Sequence, residues 1–116
     1  MAFVRLVHPI HYNRETGRFN SYVYKKLHGG MSVVDRDCAE SRSGSIAKHA
    51  ARFYSGIVGD PIIFYVIEDA ELPANATVSQ STSDSGDDCH HDIAGVNDNT
   101  LKRKRWFQAT AALGLA

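Results

Sequence analysis

The sequence predicts a small α+β fold: a mixed or antiparallel sheet of four to six short strands with two helices. Three observations lead there. The runs AFVRLVH at 2–8, MSVVD at 31–35 and IIFYVI at 62–67 are short, rich in β-branched and aromatic residues, and bounded by turn formers. After SRSGS, Ile46, Ala50, Phe53 and Ile57 recur at helical spacing and form one apolar stripe. The length of 116 residues supports one hydrophobic core and not two, so a single domain over 1–116 is expected. A hydrophobic content of 43% with 22% charged residues excludes a wholly disordered chain. No apolar run reaches the roughly 18 residues that a membrane span needs, so no membrane partner is expected.

Taken in order, residues 2–8 place Val4, Leu6 and His8 on one strand face and Phe3, Arg5 and Val7 on the other, and Pro9 ends the ladder. PIHYNRETGRFN then reads as a polar, turn-rich loop, with a second short strand over Tyr22 to Lys26. Gly29-Gly30 turns the chain into the strand MSVVD. Ser43 or Ser45 caps the first helix, which Gly56, Gly59 and Pro61 terminate. IIFYVI is apolar on both faces, as in a central strand covered on both sides, and a further strand is expected over Ala76 to Gln80. The low-complexity segment STSDSGDD predicts an exposed, mobile polar loop around 81–88. A last short strand over His90 to Val96 leads through the turn Asn97-Asp98-Asn99 to a second helix from about Thr100.

The first residues, MAFVRLVHP, interrupt a short apolar run with Arg5 and lack the apolar stretch of a signal peptide. A cytoplasmic location is therefore expected, with Cys38 and Cys89 both as reduced thiols. The net charge is zero, yet the charges are sorted along the chain: +5 over 1–52, −9 over 53–101 and +4 over 102–116. Such sorting either creates a local basic surface or brings the segments together as pairs in the fold.

The stretch DDCHHDIAGVNDNTLKRKRWF at 87–107 concentrates the chemistry. Cys89-His90-His91-Asp92 is a poor metal site, because neighbours on a strand point to opposite faces and tetrahedral ligands must converge. At most two of the four could serve one ion, with His8, His11 or Cys38 supplying the rest; no metal and no cofactor is expected. Proton transfer needs less: a neutral imidazole as base and an imidazolium as acid, beside a cation, can cleave a phosphodiester. The candidates are His8 and His11 at the end of the first strand and His90 or His91 on the last, with Arg5, Lys25 or an arginine of the C-terminal run as the cation, all near predicted strand ends. Lys102 to Arg105 fall at the start of the predicted second helix, where the dipole disfavours cations by about 0.3 to 1 kcal/mol each. An anion there, held by Lys102, Arg103, Arg105 and Asn99, would remove that conflict. Neither G-x-S-x-G nor a phosphate-binding glycine loop occurs.

Arg5-x-x-His8-Pro9, Ser21-x-x-Tyr24-Lys25, Gly30-Met31-Ser32-Val33 and His90-x-x-Ile93-x-Gly95 ahead of a basic stretch resemble a group of small bacterial proteins of uncharacterised activity. The likeness departs at the STSDSGDD insertion; it implies a bacterial, intracellular origin and no mechanism. The expected function is a module that binds an anionic ligand or partner, such as phosphate, nucleotide or nucleic acid, near the start of the last helix. The alternatives are a metal-independent, histidine-based phosphodiester-cleaving enzyme and a protein-interaction domain without a small-molecule site.

Overall fold

The computed structural model describes residues 1–13, 15–16, 18–19, 31–95 and 112–115. Its centre is a six-stranded sheet built from β1 (Ala2–Val7), β4 (Met31–Asp35), β5 (Ile63–Glu68), β6 (Thr77–Gln80), β7 (His90–Ala94) and β8 (Ala112–Leu115) in the order β6-β7-β4-β1-β5-β8. Every neighbouring pair is antiparallel. A separate hairpin pairs β2 (Tyr12–Asn13) with β3 (Arg18–Phe19). Two helices, α1 (Arg36–Ser43) and α2 (Ile46–Phe53), complete an α+β fold. The predicted strand over Tyr22 to Lys26, the turn at Asn97 to Asn99 and the helix from Thr100 lie outside the described residues, as do Lys102, Arg103 and Arg105. Ala112–Leu115 adds a strand that the sequence reading did not include.

The alternation of β1 sorts the core. Phe3 and Val7 pack with Met31, Val33, Ile63, Tyr65, Ile67 and Ile93 on one face of the sheet. Val4 and half-buried Leu6 pack with Val34, Ala39, Ile46 and Cys89 on the other, under the helices. With two strands on one side of it and three on the other, β1 is more central than the IIFYVI run, which forms β5 between β1 and β8. Each large side chain fully buried in this way stabilises the fold by about 1.5 to 3 kcal/mol.

Both helices start on side-chain caps. Ser45 accepts the Lys48 N–H at 3.1 Å and starts α2, which buries Ile46, His49 and Ala50; Ile57, placed on the stripe by its spacing, lies beyond the helix and is exposed. Helix α1 is an addition to the sequence reading. Its one buried residue is Ala39, so it carries no apolar stripe, and it is defined instead by its ends. Asp35 Oδ1 accepts the Cys38 N–H at 3.2 Å, and Gly44 closes the helix at φ 90°, a left-handed conformation that glycine adopts without a Cβ penalty.

The expectation of two free thiols is overturned. Cys38 on α1 and Cys89 just before β7 form a disulfide, with Cα atoms 5.6 Å apart. The chain fold brings α1 over β7 because β4 leads directly into the helix and pairs with β7, and Asp35 N–H donates to Cys89 O at 2.9 Å.

The loop before β7 is exposed at Thr82, Asp84 to Gly86 and Asp88, but Asp87 is fully buried. Its carboxylate accepts the Tyr54 hydroxyl and, at 2.8 Å, the Cys89 N–H; His49 Nε2 lies 3.0 Å from its Oδ1. Desolvation alone would raise the Asp87 pKa, but the bonds from Tyr54 and the Cys89 N–H, together with the close approach of the His49 imidazole, outweigh it and hold the group below its ordinary 3.8. Burial and the bond to Asp87 push the Tyr54 hydroxyl far above its ordinary value.

Two measurements check this account. Reducing the disulfide in the presence of a metal chelator, which opens a link across 51 residues of sequence, should lower unfolding free energy by up to about 4 kcal/mol, read from urea midpoints. An unchanged midpoint would mean that the bridge does not constrain the chain. Because the Asp87 pKa is lowered in the fold, its contribution is complete above 3.8 and is lost as pH falls through the lower folded value. Asp87→Asn should cost about 3 kcal/mol at pH 7 and show none of the wild-type loss below that range; parallel pH profiles would contradict the assignment.

Candidate functional site

The helix-bearing face of the sheet holds a groove of about 1030 Å³. Val4, Leu6 and His8 from β1 and the residue after it, Ser32 and Val34 from β4, and His90 and Asp92 from β7 share its lining. Arg52 to Ile57, at and beyond the end of α2, contribute on one side and Ser81 to Ser85 on another. Tyr54 lines the groove while its hydroxyl grips Asp87, so the bond to Asp87 ties the α2 end to the 81–89 loop.

All four residues proposed from sequence as a catalytic set, Arg5, His8, His11 and His90, contribute to this groove. They do not form one cluster. His90 pairs with Val34, which pairs with Val4, so His8 lies two strands across and four residues along from His90. At strand spacings of about 4.8 Å and rises of about 3.3 Å, their Cα atoms are about 16 Å apart. His8 and His11 do meet: the rings stand edge to face with centroids 6.1 Å apart, because Pro9 and Ile10 turn the chain through a single 3-10 turn. His8 Nδ1 accepts the Ile10 N–H at 3.2 Å, so the neutral ring carries its own proton on Nε2 as a donor. Burial above all, and then the charges of His8 and Arg5, hold the His11 pKa below its ordinary 6.5.

Arg5 has a different position from the histidines. By strand alternation it belongs to the face of Phe3 and Val7, is only 9% exposed, and donates through Nη1 to Ser32 O at 2.8 Å. It supplies charge behind the groove and positions β4 beside β1. At the far end His90 Nδ1 lies 3.1 Å from Ser81 O, which requires an N–H on that nitrogen, and Ser81 Oγ donates to Asp92 Oδ2 at 2.8 Å. His91 occupies the opposite face, its ring 5.6 Å from that of Phe3, with Nδ1 3.0 Å from Cys89 O. His90 and His91 therefore have separate surroundings, as strand alternation requires.

The groove also includes residues absent from the sequence-based set: Arg52, stacked over Phe53 at 4.7 Å, and Ser81, Asp84 and Asp92. Arg52 could have been found as the cation on the last turn of the amphipathic helix. The serines and acids sit in a low-complexity run whose composition suggests only a loop. Sorted charge produces one exposed ion pair between the acidic and basic segments among the described residues, Arg42 with Asp88 at 3.5 Å.

A second cluster lies beneath the helices and away from the groove lining. Ser43 Oγ is 2.8 Å from His49 Nδ1, and His49 Nε2 faces Asp87. A serine, an imidazole and a carboxylate in succession resemble a hydrolase relay, but Ser43, His49 and Asp87 are not part of the groove lining. Among the described residues, ligand atoms of His49, Asp87 and Cys89 all lie within 4.8 Å of one another, with the Cys89 sulfur bonded to Cys38 in this structure. No helix among the described residues is long and apolar enough to cross a membrane. Comparison with protein-family models, with curated proteins and with solved structures finds no match.

Proposed function

We propose that the protein is a binding module for a small phosphate-bearing ligand, with its anionic group held by His8, His11 and Arg52 and its uncharged remainder running toward Ser32, Ser81 and His90. The observation that carries this reading is the environment of His11. Burial, and after it the charges of His8 and Arg5, lower the pKa of its imidazole, so an anion placed there offsets the part of that shift that charge causes. His8 offers an Nε2 donor, and Arg52 offers a guanidinium at the groove margin. Asp84 and Asp92 repel a second anion toward the other end, which favours a ligand charged at one end over a long polyanion such as nucleic acid. Cleavage by a His8 and His90 pair is disfavoured by their separation, since the acid and base must reach the same phosphate.

An anion that stabilises protonated His11 must bind more tightly as pH falls through the range below 6.5. Sulfate, whose charge is constant between about pH 5 and 8, isolates this effect from titration of the ligand. Its affinity should rise about three- to tenfold between pH 8 and pH 5.5, read from imidazole NMR shifts of His8 and His11. Arg52→Ala should weaken binding of a nucleoside monophosphate about tenfold. If neither anion moves those two imidazoles, or if Arg52→Ala binds as well as wild type, the binding reading is wrong. Metal-free cleavage of single-stranded RNA that disappears in His8→Ala and His11→Ala would replace it with the cleavage reading.

A further inference from the structure

We infer that, when its disulfide is reduced, the protein holds one Zn²⁺ ion between Cys38, His49, Asp87 and Cys89. The donors come from three separate places in the chain that the fold already gathers: Cys38 from α1, His49 from α2, and Asp87 and Cys89 from the segment before β7. Ligand atoms of His49, Asp87 and Cys89 lie within 4.8 Å of one another, and the Cys38 sulfur is bonded to that of Cys89. Tetrahedral zinc with Zn–S near 2.3 Å needs the two sulfurs about 3.8 Å apart, a separation that side-chain rotation supplies once the bond between them is broken.

An independent observation is the state of His49. The residue is 2% exposed, and its Nε2 makes no hydrogen bond among the described residues although it lies 3.0 Å from Asp87 Oδ1. A buried ring nitrogen close to a carboxylate but out of line with it costs free energy in the oxidised state. A cation between the two satisfies both. The surrounding bonds are those a zinc site uses to orient its ligands: Ser43 Oγ holds His49 Nδ1 at 2.8 Å and leaves Nε2 for the metal, while Tyr54 holds the other Asp87 oxygen.

The chemistry balances with a dithiol as reductant. Its two sulfurs become a disulfide, its two hydrogens pass to Cys38 and Cys89, and Zn²⁺ then displaces both as protons when the thiolates coordinate. The chain thus has two closed states, one bridged by a covalent bond in an oxidising compartment and one bridged by a metal in a reducing one. This inference is independent of the groove ligand.

The test uses the full chain reduced with a water-soluble phosphine, desalted under argon and titrated with Co²⁺ alone. One Co²⁺ per chain is expected, with the visible bands of a tetrahedral ion and near-ultraviolet charge transfer of two thiolates, displaced by Zn²⁺. The oxidised protein should show neither signal. His49→Gln should weaken binding about a hundredfold, and Ser43→Ala, which removes only an orienting bond, about tenfold. If reduction unfolds the metal-free chain, Zn²⁺ should restore its circular dichroism. The inference is overturned if the reduced chain binds no Co²⁺, gives the spectrum of an octahedral ion, binds equally well as His49→Gln, or stays unfolded with Zn²⁺ present.

Discussion

The buried carboxylate of Asp87 is the constraint on which the groove-bearing face depends. A lone carboxylate inside a protein is costly, and this one is held by a phenol from the end of α2, a backbone N–H from the start of β7 and a nearby imidazole from α2. Those partners decide where the 81–89 loop sits. Because Tyr54 and Ser81 to Ser85 both line the groove, the width of the groove follows from a bond made beneath it. The polar loop is thus fixed at its root and exposed at its tip, where Ser83 Oγ takes the Asp87 N–H at 3.0 Å and turns the chain inward.

The sheet gives this arrangement its two sides. Antiparallel pairing from β6 to β8 keeps one apolar layer free of helices in the described residues and places α1 and α2 on the other. The Cys38–Cys89 bridge lies inside the helical layer, so the same packing that covers Val4 and Val34 also closes the chain between α1 and β7. Covalent link, buried carboxylate and groove are one mechanical unit: α1 is fixed to β7, β7 to the loop, and the loop to the end of α2.

Strand β1 was legible through the alternation that burial on an antiparallel sheet imposes, and β4 and β5 through short runs rich in β-branched and aromatic residues between turn formers. Helix α2 was legible through Ile46 and Ala50 and its Ser45 cap. Helix α1 was not, since RDCAESRS buries only Ala39 and its signals are an Asp cap and a terminal glycine. For the site, His8 and His11 could be read from their place after a strand that Pro9 ends. His49 could not, because a histidine between Ile46 and Ala50 looks like an interruption of an apolar face, whereas here it is part of that face. Asp87 was hidden among small polar residues, where composition argues for exposure. The pairing of Cys38 with Cys89 spans 51 residues and depends on β4 meeting β7, a long-range contact with no local trace.

The strand register that keeps His8 and His90 apart also gives the groove a length. Its two polar ends are separated by about 16 Å of backbone, with Val34 and Leu6 between them. A single small ion can engage only one end, whereas a ligand with a charged head and an extended polar tail can touch both while its middle covers aliphatic carbon. For the proposed ligand, the spacing of strands in the sheet would act as a ruler, with selectivity among ligands of the same head set by how far their tails reach.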